Sequence, residues 1–319
     1  MLIALLQVVV GTTILVGGAY ALVTGASNIA KALGISELVI GLTIVAIGTS
    51  APELAITVVS ALDNKPELII GNVVGSNIAN IGLILGFSAV VASINVPRAI
   101  LYREFAWLLG ATALIGVFAI GGEFTLPEGL ILLVGVVVFS YMSYRVAVQQ
   151  HDDAVDARMD GKEMPSLNLV RDGGLILLGG LGLAFGSNWL VTGATEIALE
   201  IGISEYVIGL TLVAVGTSLP ELSTSIVAST RGEGDLVVGN IIGSNIYNLL
   251  LILATGMVIT TLEIPEVVLE VQIPLMIGLT FALFPIIYSG RRVGRVEGSA
   301  LLAAYIVITG IAFALNPGG

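Results

Sequence analysis

Two glutamates set inside apolar runs carry the first chemical signal. Glu53 closes the hexapeptide Gly48-Thr49-Ser50-Ala51-Pro52-Glu53, and Glu221 closes its near-copy Gly216-Thr217-Ser218-Leu219-Pro220-Glu221. A carboxylate at bilayer depth is costly and marks an ion or substrate path by default. Thr49 and Glu53 are four residues apart, hence on one helix face, with Ser50 beside them. Ser76 and Asn80 share the same spacing on the next apolar run, and Thr217, Ser218, Glu221, Ser244 and Asn248 repeat the set. Each proline removes a backbone donor and frees the carbonyl four residues earlier, Gly48 in the first copy. All of these donors are hard oxygens, a set suited to Ca²⁺, Na⁺ or Mg²⁺ rather than to a soft transition metal. Two ionised glutamates in low dielectric repel, so the pair should bind cations or take up protons. One Ca²⁺ would neutralise both and accept about 6–8 oxygens in flexible geometry, whereas Mg²⁺ dehydrates reluctantly. The same oxygens shared among Na⁺ ions give a physical basis for exchange at one place.

The elements that position these residues follow from composition. The chain is 56% hydrophobic and 11% charged, less than half the roughly 25% charge of a soluble domain. It reads as an all-α integral membrane protein, because its apolar runs have the length of spanning helices and lack the alternation of a membrane barrel. Ten spans are expected, at about 2–25, 38–60, 67–94, 100–120, 126–148, 173–198, 204–230, 235–261, 267–289 and 297–315. The first is expected to be retained rather than cleaved as a signal, since Leu22-Val23-Thr24-Gly25-Ala26 recurs as Leu190-Val191-Thr192-Gly193-Ala194. With ten spans, eleven of the twelve Lys and Arg residues fall in connections on one side, and Lys65 alone on the other. The positive-inside rule makes the first side cytoplasmic and puts both termini outside. The 23 acids against 12 bases lie largely in connections, as solvated loops or as adaptation to high salt. With no cysteine, disulfides and thiolate metal sites are excluded.

An internal repeat organises the whole. Residues 34–80 align with 202–248 at a constant offset and no gap, with 26 of 47 positions identical. The repeat unit spans five helices, and an odd number forces two copies into opposite orientations. The expected architecture is therefore two inverted five-helix repeats, 1–148 and 173–319, joined by a flexible cytoplasmic linker at 149–172. Inverted repeats with interrupted helices in matching places point to a secondary transporter whose site lies near the midplane. Outside that site the reading is structural: Gly41, Gly75 and Gly86 for close packing, Thr43, Ser60 and Ser88 for interhelical bonds. Glu37, Glu196, Glu200 and Glu205 belong near span ends, Glu104 beside Arg103 and water, and the lone His151 in the solvated linker.

Gly-Thr-Ser-x-Pro-Glu followed by Gly-Asn-x-x-Gly-Ser-Asn-Ile, twice in a ten-span chain, resembles the cation/calcium antiporter superfamily and is most similar to its prokaryotic sodium/calcium exchangers. The resemblance implies a central Ca²⁺ site with Glu53 and Glu221 as chief ligands and Thr49 and Thr217 contributing, partly through the main chain. It implies flanking Na⁺ sites served by Ser50, Ser76, Ser218 and Ser244 and by the carbonyls of Ala46 and Ala214. Asn80 and Asn248, by residue type and place, read either as further ligands or as interhelical hydrogen-bond groups. Exchangers of this type often carry Asp where this chain has Asn248, so two carboxylates remain rather than three. The proton-coupled branch usually shows acids in the segment matching Gly71–Asn80, and their absence favours Na⁺. The expectation is a non-enzymatic antiporter in the plasma membrane that exports Ca²⁺ against Na⁺ by alternating access. It would move spans one and six against spans two, three, seven and eight, with no cofactor beyond the transported ions, no nucleic-acid partner, and a monomer as its assembly. The rivals are Ca²⁺/H⁺ exchange, a cation channel filtered by the paired glutamates, and, more distantly, an intramembrane acid hydrolase.

Overall fold

The computed structural model describes residues 1–96, 103–159, 165–202, 214–290 and 292–315. In chain order it contains α1 (Leu2–Leu33), α2 (Glu37–Thr49), α3 (Ala51–Leu62), α4 (Pro66–Val91), β1 (Ile94–Asn95), α5 (Glu104–Ala119), β2 (Glu123–Phe124), α6 (Leu126–Met159) and α7 (Leu169–Glu200). The second half continues through a helical turn at Ala214–Gly216, then α8 (Leu219–Thr230), α9 (Gly234–Ile259), β3 (Leu262–Glu263), α10 (Val268–Tyr288), β4 (Arg292–Val293) and α11 (Arg295–Leu315). Among the described residues, seven helices are long and apolar enough to cross a membrane, and the bent pair α2–α3 makes an eighth. The short apolar α5 and the α8 region occupy the two other expected spans, but residues 203–213 of the latter, Glu205 included, lie outside the described residues.

The layering follows from which faces carry side chains that tolerate lipid. Helices α4 and α9 form the inside, with 72% and 94% of their apolar windows buried, while α1 and α7 show 28% and 22%. Large apolar side chains such as Leu6, Val137, Leu178 and Phe185 cover the outer surface, as expected where the solvent is hydrocarbon.

Helices α1 and α7 pack closely over nearly their whole length, and glycine makes this possible. Gly11, Gly18 and Gly25 recur every seven residues, as do Gly179, Gly186 and Gly193, so each trio forms one stripe along its helix. A Cβ on Gly179 would sit 2.5 Å from the Leu22 backbone nitrogen, and one on Gly186 would sit 2.5 Å from that of Leu15. Gly11 faces Gly186 and Gly18 faces Gly179, while Gly193 faces Ala4 near the start of α1; the two helices therefore run antiparallel. Small residues of this kind let backbones approach where no water-driven force exists between helices.

Two short antiparallel strand pairs join the halves of the chain. Ile94 pairs with Val293 and Asn95 with Arg292; Glu123 pairs with Glu263 and Phe124 with Leu262. A single span, α5, separates β1 from β2, so the two pairs lie at opposite ends of the bundle.

Helix α6 differs from the expected span. It continues to Met159, eleven residues past 148, and carries the first part of the segment expected to be a flexible linker. His151 is not simply solvated: its Nδ1 lies 2.6 Å from the Leu33 carbonyl oxygen, and Gln150 Oε1 accepts from Ser36 N at 2.8 Å. The extension thereby clasps the turn between α1 and α2, which Gly34 makes in the left-handed conformation at φ 69°. Glu104 was expected near water, but it is buried and paired with Arg103, whose Nε lies 2.7 Å from Oε1.

Candidate cation site between two broken helices

The site begins at the break between α2 and α3. The two segments meet at 43° around Ser50, because Pro52 at the second position of α3 has no N–H to continue the ladder. The break sets the carbonyl end of α2 against the amide end of α3, with Thr49 and Ser50 buried between them. The carbonyl end carries partial negative charge suited to a cation, and the amide end stabilises a carboxylate in the first turn of the next helix. Glu53 and Glu221 both occupy that first-turn place, in α3 and α8.

Ser50 and Ser218 each precede their glutamate by three residues, the Ser-x-x-Glu pattern of a capping box. Neither side chain caps its own helix. Ser50 Oγ instead donates to Glu221 Oε1 in the other half at 2.9 Å. Thr49 Oγ1 donates across the same boundary to Asn240 Oδ1 at 3.1 Å. Asn80 Nδ2 donates to Asn245 Oδ1 at 3.0 Å, a third link between halves. Glu53 and Glu221 are both 1% exposed and lie within electrostatic reach of each other.

Of the twelve positions singled out in the sequence, Thr49, Ser50, Glu53, Ser76, Asn80, Ser218, Glu221, Ser244 and Asn248 are buried polar groups. Thr217 is half-buried and lines a cavity of about 490 Å³ with Gly216, Ala51 and Pro52 on one wall and Ser187 and Asn188 of α7 on the other. The Ala46 carbonyl accepts Ser50 N at 3.0 Å, and Thr49 Oγ1 lies 3.4 Å from it. The matching Ser218 N donates to Val215 O at 3.0 Å. Glu53 Oε2, Glu221 Oε2, Ser218 Oγ, Ser244 Oγ, Asn80 Oδ1 and both amide atoms of Asn248 are buried without a hydrogen-bond partner. Each such atom costs about 1–3 kcal/mol if nothing meets it, so a concentration of them is a donor set in search of a ligand. No cluster of three or more His, Cys, Asp or Glu side chains occurs among the described residues; a cation here would depend on hydroxyl, amide and carbonyl oxygens besides the two carboxylates.

Four residues around this set were quoted in the repeat motif but not selected: Asn72, Asn77, Asn240 and Asn245. Asn72 Nδ2 donates to the Glu53 carbonyl at 3.1 Å and to Thr57 Oγ1 at 3.4 Å, and Asn240 Nδ2 donates to Ser225 Oγ at 3.4 Å. These amides hold the glutamate-bearing helices against α4 and α9. The signal was present as a four-residue period, Asn72-Ser76-Asn80 and Asn240-Ser244-Asn248, which puts three polar groups on one helix stripe. At the end of each stripe the backbone widens into a π-helical turn, Asn80–Leu85 and Asn248–Ile252, a feature often found at functional sites.

Comparison with known proteins decides the family. The family model described as sodium/calcium exchanger protein matches residues 3–145 and 173–314. The chain belongs to the sodium/calcium exchanger family. Among its relatives, the putative antiporter CaxA of Alkalimonas amylolytica is 38% identical over 310 residues, covering 96% of this chain and 97% of the relative. The sodium/calcium exchanger MaX1 of Methanosarcina acetivorans is 33% identical, covering 97% of this chain and 98% of its own. A solved structure of the sodium-calcium exchanger NCX_Mj, soaked with 2.5 mM Na⁺ and 0.1 mM Ca²⁺, superposes with a TM-score of 0.83 at 32% identity, covering 96% of this chain and 97% of that one. This member of the exchanger family is a membrane antiporter of the cation/calcium class, and both matched segments contain one glutamate of the pair.

Proposed function

We propose that the protein exports Ca²⁺ in exchange for Na⁺ across the plasma membrane, by alternating access at a central site built on Glu53 and Glu221. The observation that carries this reading is the hydrogen bond from Ser50 in one half to Glu221 in the other, beside carboxylate oxygens buried without partners. Transported ions would supply the charge that two buried carboxylates require. One Ca²⁺ balances both charges, and Na⁺ ions taking the same oxygens with the hydroxyl and carbonyl donors would displace it. The pool of donors comprises Thr49, Thr217, Ser50, Ser218, Ser76, Ser244, Asn80, Asn248 and the carbonyls of Ala46 and Ala214.

The proposal includes ten helices in two inverted repeats, 1–148 and 173–319, with 149–172 cytoplasmic and both termini outside. Three features support it: the gapless repeat, the antiparallel packing of α1 on its sequence-equivalent α7, and the exchange of strands between halves. In that orientation the cavity at Thr217 and Pro52 opens from the site toward the outside, and α1 with α7 is the pair that slides to close it.

The test is ⁴⁵Ca²⁺ uptake into sealed vesicles holding the purified protein. Uptake driven by an outward Na⁺ gradient is expected. Uptake driven only by an outward proton gradient would replace Na⁺ by H⁺ in the reading, and uptake that follows voltage alone would replace exchange by conduction.

A further inference from the structure

A second polar cavity lies away from the paired glutamates, enclosed by the turn between α1 and α2, strand β1 and the turn between α8 and α9. It has a volume of about 320 Å³, and its walls include Glu37, Ser93, Asn95, Ser229 and Asp235. Ser229 is 4% exposed and its Oγ has no hydrogen-bond partner. Glu37 meets Ser27 Oγ at 2.6 Å and Lys31 Nζ at 3.2 Å, and both contacts use Oε1. Between the lining residues Gly232 and Gly234 sits Glu233, whose Oε1 lies 3.3 Å from Arg231 Nη2 while its Oε2 is buried without a partner. Burial pushes the Glu233 carboxyl above its ordinary range, Arg231 opposes this, and Glu37 adds to it. Three carboxylates thus gather against two cationic groups.

The repeat did not build this cavity. At the constant offset, Ser229, Glu233 and Asp235 correspond to Ala61, Lys65 and Glu67. The first-half turn exposes Lys65 and Glu67 to solvent, whereas the second-half turn folds its acids inward. Among the described residues this inward turn of acids occurs in one copy alone, at the end of the molecule that carries Lys31 and Arg231.

We propose that this cavity is a staging site for a hydrated divalent cation, Ca²⁺ in particular, at the end of the bundle assigned to the cytoplasm. The proposal rests on the exchange reading for its purpose, not for its chemistry. No three acidic side chains converge on one point among the described residues, so the ion keeps most of its water and is held through Asp235, Glu37, Ser229 and the backbone oxygens of β1. Binding of that kind is weak, which suits a site that must release its ion onward.

Two measurements test it. In vesicles of known orientation, Asp235→Asn is expected to raise the KM for Ca²⁺ at the cavity's face by about three- to tenfold, with kcat and the KM at the opposite face unchanged. An unchanged KM at that face overturns the proposal, and so does an equal rise at both faces. Separately, the full chain carrying Glu53→Gln and Glu221→Gln is titrated with CaCl₂ by calorimetry. A residual weak binding event that disappears on adding Asp235→Asn supports the site, and no residual binding overturns it. Vesicles of the unmodified protein that show no Na⁺-driven Ca²⁺ flux would remove the exchange reading, while the calorimetry still decides the cavity.

Discussion

Ser50 and Ser218 stand in the same place in two copies of one motif, with nearly identical backbone angles, φ −86° and ψ 8° against φ −89° and ψ 4°. Only Ser50 Oγ reaches across to a carboxylate; Ser218 Oγ is buried without a partner, as is Glu53 Oε2. The surrounding helices differ in the same sense. Helices α4 and α9 have equal length and the same mean hydropathy of 1.8, yet 72% of one window is buried against 94% of the other. Local sequence therefore does not decide how enclosed each copy is; the neighbours do. Under the alternating access proposed above, the two copies would exchange environments during the cycle, and the inequality of the two serines would mark which copy is held.

Changes that remove the pair altogether should have the largest effect. Glu53→Gln or Glu221→Gln each deletes one charge from the two that a divalent ion needs, so Na⁺-driven Ca²⁺ uptake should fall by at least about 100-fold, the equivalent of ~3 kcal/mol. A soluble, monodisperse variant that still transports at a tenth of the normal rate would end the two-glutamate reading. Next comes the outer seam. Gly179→Val places a Cβ where the Leu22 backbone nitrogen stands at 2.5 Å, and backbone cannot move aside as a flexible side chain does. Transport should be lost and the protein destabilised by about 1–3 kcal/mol or more, whereas Gly180→Val, which meets nothing within 4 Å, should do neither.

Smaller effects separate the copies. Asn80 Nδ2 donates to Asn245 Oδ1, while both amide atoms of Asn248 have no partner. Asn80→Asp would oppose a carboxylate to that Asn245 oxygen and should cost about 1–3 kcal/mol. The matching Asn248→Asp breaks no hydrogen bond and should unfold at a temperature closer to that of the unmodified protein. Equal losses for both variants in a thermal melt would erase the asymmetry. The serines themselves should give the smallest shift. Ser50→Ala removes a hydrogen bond of about 1–2 kcal/mol from the conformation described here, and Ser218→Ala removes none. In ion-free protein the melting temperature should therefore fall for the first and stay close to that of the unmodified protein for the second.

Much of this was legible in the residues. The repeat, the paired glutamates and their hydroxyl neighbours rest on type and spacing, and those signals survive because a membrane interior makes each polar group expensive. Three features were not legible, each for a physical reason. The diversion of Ser50 from its own helix end to Glu221 depends on a neighbour 171 positions away, which no local pattern records. The continuation of α6 to Met159 was hidden because its last turns are polar, including His151, Asp152 and Asp153; hydropathy ends where lipid ends, but hydrogen-bonded helix need not. The steadying amides Asn72 and Asn240 were visible as sequence yet unremarkable in type, since an Asn in a membrane helix is equally suited to bonding a neighbouring helix.

The exchanged strands carry a mechanical consequence. Because β1 is paired with β4 at one end and β2 with β3 at the other, the halves are stitched to each other at both rims, independently of the connection through 149–172. A chain cut within that connection and supplied as two fragments should therefore reassemble into one particle instead of drifting apart in the bilayer. The same stitches keep the frame from splitting along its midline, so whatever opens a passage has to slide past the frame and not pry it apart.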